Sequence, residues 1–305
     1  MYKRQYYNSE KNHDVLILGD CEVYENISTV TMWENYGISS YIRGSAEQLI
    51  WQSYYLLEDT LKYEKPQVVI LNVLAMTESD AKNEAYNRMT LDGMKLSKYK
   101  IASIRESMTE EENMASYIFP LLRYHSRWSE LSSEDFRYMW KTPSVTTNGY
   151  LMQKGVRPVT TIPKAAPLAN YTFSSRNMEY LDKIYSLCKD NDINLVLMKA
   201  PSVYPHWYDE WDRQVSDYAD EHGILYLNTI DEAENIGIDY TTDTFDYGQH
   251  LNVEGAEKLS LYLGEQLVKN FRLTDHRQDE SYKNAWKTIC LLYTSDAADD
   301  MQCVD

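Results

Sequence analysis

The sequence is poor in basic residues and has no long apolar run. Its 305 residues contain 30 Lys and Arg against 47 Asp and Glu, which gives a net charge of −17 at pH 7. This deficit excludes an ordinary binder of nucleic acid or of anionic membranes, because such proteins need a positive face. No segment approaches the ~20 apolar residues of a membrane span, and residues 1–13 are too polar for a signal peptide.

The content of apolar residues indicates a packed protein. Hydrophobic residues make up 43 % of the chain and aromatic residues 13 %. A chain of this length suits one large α/β domain or two small ones. Disorder is therefore excluded for most of the chain.

The last sixteen residues differ in character from the rest. Residues 290–300 read CLLYTSDAADD, which resembles a translated transposon sequencing adapter joined in frame to a gene, so we interpret residues 290–305 as a tail that is not native. The true C-terminus is then expected to lie beyond this sequence, and the N-terminus is either present or missing as well. Without Cys290 and Cys303, only Cys21 and Cys188 remain, too few for a disulfide framework.

Five short segments predict the strands of a parallel sheet, of which four are apolar runs and the second, GISSYI, is a weaker signal. They lie at residues 14–18, 37–42, 68–71, 195–198 and 224–227. Amphipathic helices are predicted at residues 46–63 and 207–222. Such alternation is typical of βαβ units, so we predict one α/β domain over residues 1–289, with a three-layer, flavodoxin-like parallel sheet.

Residues 77–176 interrupt the alternation between the third and fourth predicted strands. We predict that this insertion is mostly helical, with residues 110–140 mainly helical and residues 142–169 an irregular loop rich in proline, since proline breaks regular elements. A long insertion of this kind commonly forms a lid or a partner surface.

Residues that could take part in catalysis follow the predicted strands and lie in the last loop. Cys21 comes after the first strand, Gly44 after the second and Asn72 at the end of the third, while Asp246 and His250 lie in the last loop. Open parallel sheets place their active sites at the carboxyl ends of strands. This order is expected of a hydrolase whose catalytic triad is assembled across the sheet.

Four segments resemble the SGNH/GDSL hydrolase superfamily, in particular its extracytoplasmic bacterial branch of alginate O-acetylation and teichoic acid D-alanyl-transfer proteins. They are LGDCEVYENI (residues 18–27), YIRGSAEQ (41–48), VVILN (68–72) and DYGQHLNVEGAEKL (246–259). The resemblance implies that Cys21 stands where the family has its nucleophilic Ser, and that His250 is the base. It also assigns the oxyanion hole to Cys21, Gly44 and Asn72.

The sequence departs from the family pattern at the acid that orients the base. That acid normally precedes the His by three residues, where this chain has Tyr247. We predict that Asp246 orients His250 in place of Asp243, because an acid four residues back can fold onto the imidazole in a tight turn. We also expect Cys21 and His250 to lie within hydrogen-bonding reach or one water of it, with the helix N-terminus lowering the thiol pKa.

Further candidates would bind the substrate. Asp20 is a helix cap or an orienting group, Gln48 follows the second strand, and Lys199 closes the fourth strand, where it either faces the crevice or is only solvated. Arg123 and Arg127, with His125 between them, form a candidate clamp for an anionic substrate that packs over the crevice. The alternative is a solvated helix face.

Two functions from different classes follow from these observations. The first is an acyl-ester hydrolase or O-acyltransferase that acts on a cell-envelope or exported glycan through an acyl-enzyme. The resemblance implies an acylated polysaccharide or other ester as substrate and a membrane-bound acyl donor protein as a further partner. It also implies an extracytoplasmic location, with or without a membrane anchor. No cofactor, metal or nucleic acid is expected. The second is a catalytically silent module that binds a glycan or a protein, with Cys21 a small buried side chain and His250 part of a capped turn.

Overall fold

Five parallel strands form the central sheet of the structure, a computed structural model that describes residues 6–119, 122 and 147–298. The strands are β1 (Val15–Gly19), β2 (Ser40–Gly44), β3 (Val68–Asn72), β4 (Asn194–Lys199) and β5 (Leu225–Asn228). Their order in the sheet is β2-β1-β3-β4-β5, which is the flavodoxin-like order. The predicted α/β fold is confirmed, and each predicted strand is present within a few residues of its expected bounds.

Helices cover both faces of the sheet. Those before the fourth strand are α1 (Cys21–Asn26), α2 (Thr29–Tyr36), α3 (Ile50–Thr60), α4 (Glu84–Leu91), α5 (Lys98–Ser107) and α6 (Met114–Ile118). The later ones are α7 (Ser175–Asp190), α8 (Asp209–His222), α9 (Ala233–Ile236), α10 (Val253–Asn270) and α11 (Glu280–Ala298). A short 3-10 helix (Val73–Thr77) follows β3 directly.

The two hydrophobic cores lie on opposite faces of the sheet because side chains alternate along each strand. Leu16 and Leu18 of β1 pack in the core that includes side chains of α3 and α7. Val15 and Ile17 pack in the core that includes side chains of α1, α2, α10 and α11. The continuous apolar runs of the sequence are therefore explained by strands buried on both faces.

Glycine allows the strand ends to approach each other at the carboxyl edge of the sheet. A Cβ atom at Gly19 would lie 2.7 Å from the Asn72 Cβ, and one at Gly44 would lie 2.6 Å from a methyl group of Val23. Both distances are shorter than any side chain tolerates. The ends of β1, β2 and β3 can therefore meet α1 only where these positions lack a side chain.

The insertion between β3 and β4 is partly described. Helices α4 to α6 lie in its first part, and residues 147–169 contain neither helix nor strand, as predicted for the loop. The segment predicted as mainly helical falls largely outside the described residues. Asn148 lies along the outer edge of β2, where its carbonyl accepts from the Ile42 N–H at 2.9 Å and its side chain donates to the Ser40 carbonyl at 3.1 Å.

The C-terminal helix α11 runs into the segment that we interpret as a foreign tail. Trp286 stacks on Trp33 with ring centroids 4.8 Å apart. Tyr293, within that segment, is buried and donates a hydrogen bond to Glu257 at 2.6 Å. The origin of residues 290–305 stays a prediction. No helix in the described part of the chain combines the length and the apolar character needed to cross a bilayer.

We expect Gly255→Ala to destabilise the protein, because the new methyl group would lie 2.5 Å from the backbone oxygen of Asp243. This clash would push helix α10 away from the loop that carries His250, at a cost of about 1–3 kcal/mol, as for other overpacked sites. The measurement is the urea midpoint at constant m-value. The exposed neighbour Glu254 provides the control Glu254→Ala; equal unfolding free energies for the two variants would contradict the expected clash.

Candidate active site

Helix α1 places Cys21 at the carboxyl end of β1. Asp20 caps the helix, since its side chain accepts from the Glu22 backbone N–H at 3.0 Å. Cys21 is the first residue of the helix and is partly exposed. The sequence interpretation of Asp20 as a helix cap is therefore confirmed.

The surroundings of Cys21 are acidic. Burial raises the pKa of its thiol strongly, and the carboxylates of Asp20, Glu22, Glu25 and Glu47 raise it further. The expectation that the helix N-terminus would lower this pKa is wrong, because the effect of burial and four negative charges exceeds that of one short helix. The thiol therefore keeps its proton unless a base removes it.

His250 is held by Asp246. Its ring Nδ1 lies 2.6 Å from Asp246 Oδ2, and its backbone N–H donates to Asp246 Oδ1 at 2.7 Å. Because an ionised carboxylate only accepts, Nδ1 carries a proton. The ring Nε2 has no hydrogen-bond partner within residues 6–119 and 147–298, so the ring is oriented as a general base requires.

The pKa of His250 is raised. Burial acts to lower it, but the hydrogen bond to Asp246 and the charge of Glu25 outweigh burial. The imidazolium therefore persists to higher pH than in a free histidine side chain. Neutral His250, the form that can accept a proton, becomes the major species only above its usual titration range.

Asp243 does not contact His250. One of its carboxylate oxygens accepts from Lys258 Nζ at 2.6 Å and from the Asp239 backbone N–H at 2.8 Å. The predicted contact between Asp246 and His250 is therefore present, and the alternative contact through Asp243 is not. The catalytic role of Asp246 stays a prediction.

Glu25 is a site residue that the sequence interpretation missed. Its Oε2 lies 3.3 Å from His250 Nδ1, and its Oε1 accepts from the Gln153 side chain at 2.8 Å. Burial raises its pKa, although the charge of His250 opposes this shift. The available signal was its spacing: residues four apart, such as Cys21 and Glu25, share one face of a helix.

Helix α1, which begins at Cys21, meets the last loop, which carries His250, at a tight junction. The Leu251 N–H donates to the side chain of Asn26, the last residue of α1, at 2.8 Å. No hydrogen bond joins the Cys21 Sγ to the His250 ring in the structure. The expected approach of the two groups, within hydrogen-bonding reach or one water of it, stays a prediction.

The Asn72 side chain is already engaged. Its Nδ2 donates to Asp20 Oδ1 at 3.0 Å and to Glu22 Oε2 at 2.9 Å, so both amide hydrogens point at carboxylates. Asn72 must therefore release one of these bonds before it can serve an oxyanion. Burial and the charge of Glu22 raise the pKa of Asp20 above its usual range.

Lys199 is not positioned to bind a substrate, and this part of the sequence interpretation is corrected. Its side chain is 0 % exposed and pairs with Glu22 Oε1 at 2.7 Å. It also donates to the Ala200 carbonyl at 2.7 Å and to Ser202 Oγ at 3.0 Å. All three ammonium hydrogens are used, so Lys199 neither faces a crevice nor is solvated.

Gln48 is likewise occupied within the protein. Its Nε2 donates to the Arg43 carbonyl at 3.1 Å and to Ser53 Oγ at 3.0 Å, and its Oε1 accepts from Ser45 Oγ at 3.1 Å. Its side chain is buried and stabilises the turn that follows Gly44, the last residue of β2. The role of Gln48 in substrate binding stays a prediction.

The candidate anion clamp cannot be placed. Arg123, His125 and Arg127 lie outside the described residues. The clamp stays a prediction.

Comparison with known proteins leaves the family of this chain unassigned. No family model matches the sequence, and no curated protein matches it. Among solved structures, a putative acylhydrolase from Bacteroides fragilis covers 88 % of this chain and 94 % of its own at 11 % identity and a TM-score of 0.42. A GDSL-like lipase from Bacteroides thetaiotaomicron covers 88 % and 97 % with the same identity and TM-score. Likeness at this level assigns no chemistry.

We expect Asp246→Asn to lower the pKa of His250, because the variant removes the carboxylate that supports the imidazolium. NMR titration of the His250 ring, assigned with His250→Gln, measures the change. Asp243→Asn is the matched control and should leave the pKa in place. An unchanged pKa in Asp246→Asn, or an equal fall in the control, would refute the assignment of Asp246 as the orienting acid.

The buried pair of Glu22 and Lys199 should behave as a coupled unit. Lys199→Met leaves the Glu22 charge unpaired and should cost about 3–5 kcal/mol, as for other broken buried pairs. The double variant with Glu22→Gln should cost less than the sum of the two single variants. Lys183→Met, which breaks an exposed pair with Glu179, is the control and should cost much less. Additive losses in denaturant unfolding would rule out the coupling.

Proposed function

We propose that this chain is an acyl-ester hydrolase or acyltransferase with Cys21 as nucleophile, His250 as general base and Asp246 as orienting acid. The observation that carries the proposal is the paired hydrogen bond between Asp246 and His250, which fixes the ring beside α1 with Nε2 unpaired by described residues. A base with an oriented ring and a free nitrogen is the feature that nucleophilic catalysis requires.

The reaction would begin with proton transfer from the Cys21 thiol to His250 Nε2. The sulfur then attacks the ester carbonyl carbon, and the tetrahedral oxyanion accepts hydrogen bonds from the Cys21 and Gly44 N–H groups and from Asn72 once it leaves a carboxylate. Collapse breaks the bond to the alcohol, which takes the proton from His250. Water, or a sugar hydroxyl in a transferase, attacks the thioester and restores the thiol.

The substrate in this proposal is an acylated glycan, with a membrane-bound acyl donor protein as partner if the chain is a transferase. Both rest on the resemblance of the four sequence segments. Two exposed aromatic side chains, Tyr204 and Tyr247, support a glycan because sugar rings stack on such surfaces. They belong to loops joined by a hydrogen bond from the Val203 N–H to the Gly248 carbonyl at 2.8 Å.

The second candidate function is a silent binding module. Two observations favour it: the raised pKa of the Cys21 thiol and the engagement of Asn72 by Asp20 and Glu22. The raised pKa opposes the formation of a thiolate at Cys21. The engagement of Asn72 opposes the stabilisation of an oxyanion. The two candidates differ in one property, the reactivity of Cys21.

Acylation of Cys21 by a thiol-directed probe should be fast and should depend on His250. We expect His250→Ala to reduce the labelling rate at least tenfold. In the unsubstituted protein the rate should rise with pH as His250 loses its proton, above its usual value of ~6.5. Peptide mapping by mass spectrometry separates Cys21 from the other cysteines.

The control variant is His206→Ala, since His206 is exposed and outside the site. It should label like the unsubstituted protein. Labelling of Cys21 no faster than a free thiol, or equal in both histidine variants, would decide for the silent module.

A further inference from the structure

A cavity of about 610 Å³ opens beside the outer edge of the sheet. It lies between β2, helix α4 and residues 147–154. Its walls are largely apolar and include Tyr24, Tyr41, Ile42, Leu56, Met89 and Met152. This volume falls within the range of about 300–1,000 Å³ that is common for small-molecule sites.

Arg43 and Ser45, two polar residues of the lining, are satisfied by the protein itself, whereas the buried hydroxyl of Tyr150 has no hydrogen-bond partner among the described residues. Arg43 donates to the Leu56 carbonyl at 3.0 Å, to Thr60 at 2.8 Å and to Asp59 at 3.2 Å. Ser45 is hydrogen-bonded to Thr90 and to Gln48. A ligand rich in polar groups would find few partners there, whereas a hydrocarbon would lose no hydrogen bond on entry.

The cavity adjoins the candidate active site at Gly44. Gly44, which lines it, is also an assigned oxyanion donor, and the next residue, Ser45, donates its N–H to the Gly19 carbonyl at 3.2 Å. Tyr24, another lining residue, lies one turn along α1 from Cys21, and its carbonyl accepts from the Leu151 N–H at 2.7 Å. Cys21 itself does not line the cavity.

We propose that this cavity binds the hydrocarbon chain of the ester substrate, so that the substrate is an ester of a medium or long acyl chain and not of acetate. The inference rests on the proposed function, because an acyl carbon held at Gly44 directs its chain into the adjoining space. The hydrophobic effect contributes roughly 0.8 kcal/mol for each methylene that is buried. Binding is therefore expected to strengthen with chain length until the cavity is full.

The binding step is tested without catalysis. In the full-length Cys21→Ala protein, the fluorescent fatty acid cis-parinaric acid should bind saturably at micromolar concentration. Ala46→Phe places a ring at the cavity wall and should weaken binding at least tenfold. Met152→Trp fills the cavity from the other wall and should act in the same direction. Ala165→Phe, on an exposed loop, is the matched control and should bind as before.

The same variants are then compared with Cys21 present. The ratio of p-nitrophenyl octanoate to p-nitrophenyl acetate hydrolysis should fall at least tenfold in Ala46→Phe and stay constant in Ala165→Phe. Absence of saturable binding, or equal binding in the filled variants and the control, overturns the cavity assignment even if Cys21 is reactive. Saturable, cavity-dependent binding without hydrolysis or labelling supports a hydrocarbon site and overturns the esterase.

Discussion

The buried ion pair between Glu22 and Lys199 is the constraint on which the candidate site depends. The two side chains are 1 % and 0 % exposed and lie 2.7 Å apart. Removing two charges from water costs several kcal/mol each, and only close pairing with further hydrogen bonds offsets this. Asn72 and Ser202 supply those bonds. Because the partners come from α1, β3 and the end of β4, the pair fixes how these elements meet.

Helix α1 transmits this constraint to the chemistry. Cys21 and Glu22 are its first two residues. Glu25, in its last turn, faces His250. The charge that anchors the helix therefore lies next to the thiol and raises its pKa. Anchoring and reactivity are in conflict here: the carboxylates that order α1 disfavour a thiolate, so Cys21 needs a base to become a nucleophile.

The sequence was sufficient where the structure depends on local patterns. Continuous apolar runs predicted β1, β3, β4 and β5, because parallel strands covered by helices on both faces are typically apolar throughout. A weaker pattern predicted β2. The contact of Asp246 with His250 was also predictable, since four residues in a tight turn bring the two side chains together. The role of Lys199 was not, because its partner Glu22 lies 177 positions away and nothing local distinguishes a buried lysine from a solvated one. The hydrogen bonds from Asn72 to two carboxylates were likewise not predictable, because those carboxylates lie about 50 positions away in the sequence.

The charge distribution also bears on which substrates can approach Cys21. Burial is the largest cause of the raised thiol pKa, and the carboxylates of Asp20, Glu22, Glu25 and Glu47 raise it further. Their contribution to the potential at the sulfur is therefore negative. The same potential repels an anionic group placed there, since carboxylates around a cleft act on a ligand as they act on a titrating residue. A neutral ester carbonyl escapes this repulsion, and an apolar chain that enters the cavity at Gly44 carries no charge at all. Under the proposed function, the carboxylates around α1 and the apolar lining of the cavity thus favour the same kind of ligand, an uncharged acyl ester.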